Sequence, residues 1–429
     1  MTHRKNKNDE STRKPRYAFL TAWELDGQGG VNQVVLNLMR QIRLSGEFQP
    51  LSIVHDWQTK WPRIGRRGHR ATLWARHRMP WGPGAPFKSA LLFLLTLPWN
   101  LFYTLWLLRH LNIRVVNIHY PNLAAINYVL LRRLRLYSGK VLISLHGRDV
   151  RDSANVGGFE RNLWKWMLRN ADRIVACSQG LADDALSAYP EIQGHLCVVH
   201  NGVDIEHLRK IPIVATPVPP GSGPLLVNLA TYEHKKGQDI LLRAFARVIE
   251  VIPTARLAIA GRTGDLAVVN KLEQQLEELG LQGNAQLYRD LTHTQAISLL
   301  NQCDLFVLPS RNEGFAIALL EAGGLGKPVV AMNICGVAEL VVNGEEGIIV
   351  PPEDVEALSV AICGELMQLP QAQQRAASLQ RKVETHFTWP RAWREYLNLV
   401  DSSASPSGLA THTALPNHHP EPTATRSNK

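Results

Sequence analysis

Residues 309–330 read PSRNEGFAIALLEAGGLGKPVV, and the apolar run 304–308 (DLFVL) precedes them. Such a run suits a buried parallel strand, which takes near-continuous aliphatic sequence. Residues 310–313 form a loop, and 315–322 is apolar and free of breakers, as a buried helix would be. Gly323, Gly324 and Gly326 end that helix, and residues 328–331 start the next strand. A strand–loop–helix–strand unit of this kind belongs to an α/β protein. Glu313 is expected at the helix start. Glu321 lies eight positions on, about two turns at ~3.6 residues per turn. A carboxylate among apolar residues is costly without a partner, and free amides at a helix start favour anions such as phosphate. Two readings stay open here: a phosphate site with an acceptor for hydroxyls, or a capping Glu313 and a Glu321 that faces water.

The segment EGFAIALLE resembles the E-x7-E motif of glycosyltransferase family 4, retaining enzymes of the GT-B fold, and the glycines and KPVVA after it agree. The resemblance implies that Glu313 contacts a donor sugar and Glu321 holds a nucleotide ribose. It also implies that Gly314, Phe315 and Ala316 adjoin the donor.

With 429 residues, 45% apolar and 20% charged, the chain has material for two globular domains. The five cysteines, Cys177, Cys197, Cys303, Cys335 and Cys363, are widely spaced without a CxxC pair. That argues for a reducing compartment and against a disulfide framework or structural zinc. The polar N-terminus has no apolar signal core, so no secretion signal is expected. The net charge of +10 is uneven. Residues 57–148 hold fifteen Lys and Arg, six of the eleven tryptophans and no Asp or Glu. Basic residues mixed with Trp suit the headgroup zone of an anionic membrane. Without a nucleic-acid motif, nucleic acid is set aside as a partner.

Residues 1–15 are expected to be a disordered tail. Residues 17–23 (YAFLTAW) read as a first strand, leading through Gly27, Gly29 and Gly30 into an amphipathic helix. This is not the G-x-G-x-x-G fingerprint, so no NAD site is inferred. In family 4 the matching loop often has a Gly-Gly pair near the donor phosphates, which the resemblance implies for Gly29 and Gly30. Residues 60–88, rich in Arg, Trp, Gly and Pro, read as a long loop or partly ordered insertion. Residues 89–108 (SALLFLLTLPWNLFYTLWLL) carry no charge and just reach the length of a membrane span. Pro98 and Asn100 interrupt them, and the strand-like IRVVNIHYPN follows at once, so a span would split one sheet across a bilayer. A helix or broken pair that packs on the domain and dips into one leaflet is expected, with a buried core helix as the alternative.

Residues 141–145 (VLISL) read as a strand that delivers His146, Gly147, Arg148 and Asp149 to its carboxyl end, where open α/β sheets bind ligands. LHGRD resembles the family's H-G-x-D segment, whose His lies by the donor sugar. That implies an active-site role for His146, with Asp149 as a cap. Residues 211–224 (IPIVATPVPPGSGP) form a Pro- and Gly-rich linker. After the next strand a polar loop ends in Lys235, Lys236 and Gly237. A lysine at such a junction is placed to neutralise a diphosphate, and the family's Lys-Gly implies that contact for Lys236. The Arg that relatives tend to carry a few residues earlier is absent from NLATYEH, leaving its contact to Lys235. Residues 255–265 enter a Gly261/Gly264 turn, matching a family loop near the nucleotide. The segment NICGVAELVVNGEEGIIVPP matches the family pattern with Glu339 as its acid.

The resemblance therefore implies an α/β chain of two Rossmann-like domains facing a cleft, the GT-B fold. The acceptor domain would run over 16–210, with a basic, aromatic membrane-facing region at 57–110. The linker would be 211–224, the nucleotide-sugar domain 225–385, a helix crossing back 386–400, and a disordered tail 401–429. The implied activity is retaining transfer from a nucleotide diphosphate sugar, without metal or cofactor, with His146 and Glu313 as catalytic residues. The acceptor would be a glycan or lipid-linked precursor, and the protein would sit in the cytoplasm, peripheral on the inner face of the cell membrane. The rivals are a nucleotide-sugar epimerase or phosphorylase of the same fold, and a binding protein that has lost activity.

Overall fold

The computed structural model describes residues 14–401 apart from 27–28, 57–58, 60, 69, 82–85 and 215–217. Gly27 and nearly all of both expected tails lie outside the described residues. Two sheets organise the rest. The first contains β1 (Arg16–Thr21), β2 (Gln49–His55), β3 (Arg63–Arg67), β4 (Arg70–Ala75), β5 (Ile113–His119), β6 (Lys140–Leu145), β7 (Arg173–Ala176) and β8 (Leu196–Val198). Their order is β3-β4-β2-β1-β5-β6-β7-β8, parallel except for the β3–β4 hairpin. The second contains β9 (Leu225–Leu229), β10 (Arg256–Gly261), β11 (Ala285–Arg289), β12 (Leu305–Leu308), β13 (Val329–Met332) and β14 (Ile348–Val350). It is wholly parallel in the order β11-β10-β9-β12-β13-β14. The strands are aliphatic on both faces because helices cover both, so Leu226, Val227, Phe306 and Val307 are all fully buried.

One reading of the first domain needs correction. Residues 60–88 are not simply a loop: β3 and β4 form an antiparallel hairpin on the sheet edge. The alternation of apolar residues that marks a strand is hidden because arginines take apolar places. The Arg63 and Arg67 guanidinium groups sit 4.7 and 5.9 Å from the centre of the Trp74 ring. The uncharged stretch is one unbroken helix, Pro86–His110, running through Pro98. It is not a core helix, since only Phe93, Thr104, Leu107 and Leu108 are buried. The buried helix after β12 also starts later than its composition suggests, at Ile317, which leaves Glu313 in the loop.

The chain re-enters the first domain at its end. Val203 N–H donates to the Phe387 carbonyl at 2.9 Å, and the helix Trp389–Asp401 then packs on the helix Gly30–Ser45. Trp393 lies edge-on to Tyr17 at 5.3 Å and donates to Ser45 Oγ at 3.1 Å, while Tyr396 Oη is 3.2 Å from Ser144 Oγ. Trp393 is 4% exposed, so Trp393→Ala should cost about 3–5 kcal/mol, read as a lower urea midpoint. An unchanged midpoint would show that this helix adds nothing to the first domain.

Candidate active site

Each sheet has one place where strand order reverses direction, and open α/β sheets hold ligands at the carboxyl ends there. In the first sheet it lies between β1 and β5, in the second between β9 and β12. Strand β1 leads to Gly29 and Gly30 at the start of the helix Gly30–Ser45, where a Cβ on either glycine would meet nothing within 4 Å. Strand β9 leads to Lys235 and Lys236, and β12 leads to Glu313.

The loops after β6 and β12 meet closely. A Cβ on Gly314 would fall 2.2 Å from the His146 carbonyl oxygen, so only glycine allows the approach. Ser178 Oγ donates to the Gly314 carbonyl at 2.8 Å, and Arg151 bonds Asn312. Glu339 completes the contact by accepting from the amides of Gln179 and Gly180 at 2.9 and 3.0 Å and from His200 Nε2 at 2.7 Å. Burial would raise the Glu339 pKa, but the His200 bond and those amides outweigh it and hold the carboxyl below its usual range. Phe315 turns its ring into this contact, 5.5 Å from His200 and 5.8 Å from Phe387. Phe315 and Ala316 are both buried.

Glu313 accepts from Lys236 Nζ at 2.7 Å on both oxygens and from Ser310 Oγ at 2.8 Å. An ammonium has three N–H bonds, so at least one on Lys236 is not used by Glu313. Lys235 pairs with Glu233 at 2.9 Å. Gly261 is required where β10 ends, because a Cβ there would lie 1.7 Å from the Ala230 carbonyl oxygen. Asp149 accepts from the amides of His146, Gly147 and Val150 at 2.8–3.0 Å, and burial still pushes its pKa up to about 6.

His146 Nε2 lies 3.0 Å from Nδ1 of His119, the last residue of β5. One nitrogen donates and the other accepts, so the contact requires at least one neutral ring. Burial lowers the His146 pKa to about 4, and burial together with His146 lowers that of His119 well below 6.5. Both shifts favour a neutral pair of rings. Glu321 accepts from His293 Nε2 at 3.5 Å. Both line a cavity of about 420 Å³ that is also lined by Gln33, Asn37 and Ile317.

Comparison with known proteins agrees with this layout. The family model described as Glycosyltransferase Family 4 matches residues 28–207, and the one described as Glycosyl transferases group 1 matches 213–383. These two glycosyltransferase models together span both domains, one model to each. Glycogen synthase of Mycobacterium tuberculosis is 29% identical over 225 residues, 52% of each chain. The lipopolysaccharide core biosynthesis mannosyltransferase LpcC of Rhizobium leguminosarum is 28% identical over 235 residues, 53% of this chain and 63% of the relative. The chain spans about half the length of the curated relatives it matches. Sucrose-phosphate synthase of Thermosynechococcus elongatus superposes with a TM-score of 0.70 at 20% identity, covering 90% of this chain and 98% of that one. Anabaena HepE in complex with UDP gives 0.67 at 16%, over 89% and 98%. These likenesses establish the GT-B fold.

The structure thus sets His146 beside the Glu313 loop, joins Glu313 to Lys236, and puts Glu321 in the cavity wall. His119 and His293 were missed by sequence reasoning. The strand-end rule that selects His146 applies equally to His119 in IRVVNIHYPN, whereas nothing in LTHTQ singles out His293. The Glu321 hydrogen bond raises the His293 pKa above 6.5 against the pull of burial. The pair's contribution to stability is therefore complete below the ordinary histidine value and is lost as pH rises through the elevated one. Glu321→Gln should lower the His293 pKa toward or below 6.5 in an NMR titration of its ring protons. An unmoved titration would show that the two groups do not interact in solution.

Proposed function

We propose that this chain transfers a sugar from a nucleotide diphosphate sugar, with retained anomeric configuration and without a metal, to a lipid-linked or cell-surface polysaccharide precursor at the cytoplasmic face of a membrane. The observation that carries the reading is the cluster across the cleft: the His146 main chain of one domain against Gly314 of the other, next in sequence to Glu313, which Lys236 holds. The bond that breaks joins the anomeric carbon to the diphosphate, so negative charge grows on the leaving oxygen. The free N–H of Lys236 and the amides at the start of the helix Ile317–Gly324 are the groups placed to stabilise it. Neutral His146 and the Glu313 carboxylate would hold the sugar hydroxyls as the ring gains positive charge. The acceptor oxygen would attack from the face the diphosphate leaves, giving its proton to that diphosphate. Glu321, in the wall of the cavity, would accept from the ribose hydroxyls. HepE, of the same fold, is known in complex with UDP. The acid-free, Trp-rich region 57–148 supports an acceptor embedded in an anionic membrane.

A thermal-shift series with UDP, GDP and ADP tests the donor site. One nucleotide should raise the melting temperature, and Glu321→Ala should abolish the rise; no shift with any of the three would remove the donor reading. With the matching sugar nucleotide, free nucleotide should appear only when acceptor is added. Release without acceptor would instead favour an epimerase or phosphorylase. Lys236→Met should slow transfer by about 10²–10³ and lower the melting temperature, because Glu313 loses its partner, while the circular dichroism spectrum below that temperature stays that of wild type. A rate within threefold of wild type would take Lys236 out of leaving-group stabilisation.

A further inference from the structure

The helix Pro86–His110 is apolar on its outward side as well as its inward side. Its inward side contributes Phe93, Thr104, Leu107 and Leu108 to the domain. Its outward side shows Phe87, Leu91, Leu94, Leu95, Trp99, Phe102 and Trp106, each between 47% and 81% exposed. They recur at steps of one, three and four residues, which puts them on one face. A row of this length on a water-soluble surface calls for a partner.

Both ends of the helix are tied to the domain. At its start Trp81 lies 5.6 Å from Phe87 and 5.2 Å from Phe159. At its end Arg109 Nη2 donates to the Leu136 carbonyl at 3.3 Å, and the chain passes directly into β5 within the sheet. The helix is long and apolar enough to cross a membrane, but crossing would tear β5 from β1 and β6. Only its outward face is free to meet lipid. Exposed Leu134 (51%) and Leu136 (44%) sit at its end and exposed Phe159 (54%) at its start. Exposed Lys88, Arg109, Arg133 and Arg135 flank the row. Among the described residues Lys88, Arg133 and Arg135 have no ion-pair partner, and residues 57–148 contain no acid.

We propose that the outward face of the helix Pro86–His110 is a docking surface for an anionic lipid leaflet, with the helix lying in the membrane plane and buried only on that side. The apolar row enters the acyl boundary, the tryptophans take the interface, and the flanking cations meet lipid phosphates. The crossover helix runs antiparallel to the strands it joins. Its Phe87 end, with Trp81 and Phe159, therefore lies at the carboxyl edge of the sheet, where His119 and His146 sit. A lipid-linked acceptor held in that leaflet would emerge beside the cleft. The proposal rests on the membrane part of the function above and is independent of the chemistry.

Flotation of the whole chain with vesicles of equal parts phosphatidylglycerol and phosphatidylcholine tests it. Binding should be strong at low salt, weaken in 0.5 M NaCl as screening shortens the reach of the charges, and be weak on phosphatidylcholine alone. Leu95→Gln with Phe102→Gln should reduce binding about tenfold or more while leaving the melting temperature and its response to nucleotide unchanged. Arg133→Glu with Arg135→Glu should reduce binding at low salt only. Carbonate washing should release the bound protein. Absence of flotation on anionic vesicles, equal flotation by the apolar double variant, or retention after carbonate would overturn the proposal. So would a stable dimer dispersed by the same double variant, since a second copy would then cover the face. A protein that floats but ignores every nucleotide would leave this surface standing and remove the donor reading alone.

Discussion

The distance between the two domains is set by one contact, the approach of Gly314 to the His146 carbonyl. No side chain fits between them, so the loops after β6 and β12 come as near as two backbones can. The bonds around that contact join the same surfaces. Ser178 reaches the Gly314 carbonyl, and Glu339 crosses the boundary to the amides at the start of the helix Gln179–Ala188. A carboxylate at a helix start meets both free N–H groups and the positive end of the helix dipole, which suits Glu339 to the task better than a direct role in chemistry. The nearness of His146 to the loop that carries Glu313 follows from this packing.

Within the site the nearly buried Glu313 and Lys236 neutralise each other. Glu313 and Lys236 are 11% and 16% exposed at their side chains, and either would be costly without the other. Ser310 adds a third bond that fixes the carboxylate orientation. The histidine pair works by the opposite principle. Both rings are kept uncharged by burial, and His119 Nε2 has no hydrogen-bond partner among the described residues. That orphan atom is a cost of holding His146 in one place.

The α/β class, the two sheets and the Glu313–Glu321 spacing were legible because buried parallel strands and glycine-terminated helices leave plain marks in sequence. The β3–β4 hairpin was not, because arginine stacking on Trp74 replaces the apolar alternation that announces a strand. The start of the helix after β12 was placed too early because Phe315 is apolar for a different reason: it packs across the domain boundary against His200 and Phe387. The Glu339 clamp and the His119–His146 contact are products of tertiary folding between segments far apart in sequence. Periodicity along one segment carries no trace of such partners.

The return of the helix Trp389–Asp401 to the first domain bears on how the chain is made. Residues 16–210 leave the ribosome well before Trp393 and Tyr396 exist, so the first domain emerges with the faces of Tyr17, Val35 and Leu38 uncovered. Domains usually fold as they are synthesised, but this one must wait through the whole second domain for its last piece of core. Any chain stopped short of residue 389 would present that apolar face permanently, as a substrate for chaperones and proteases.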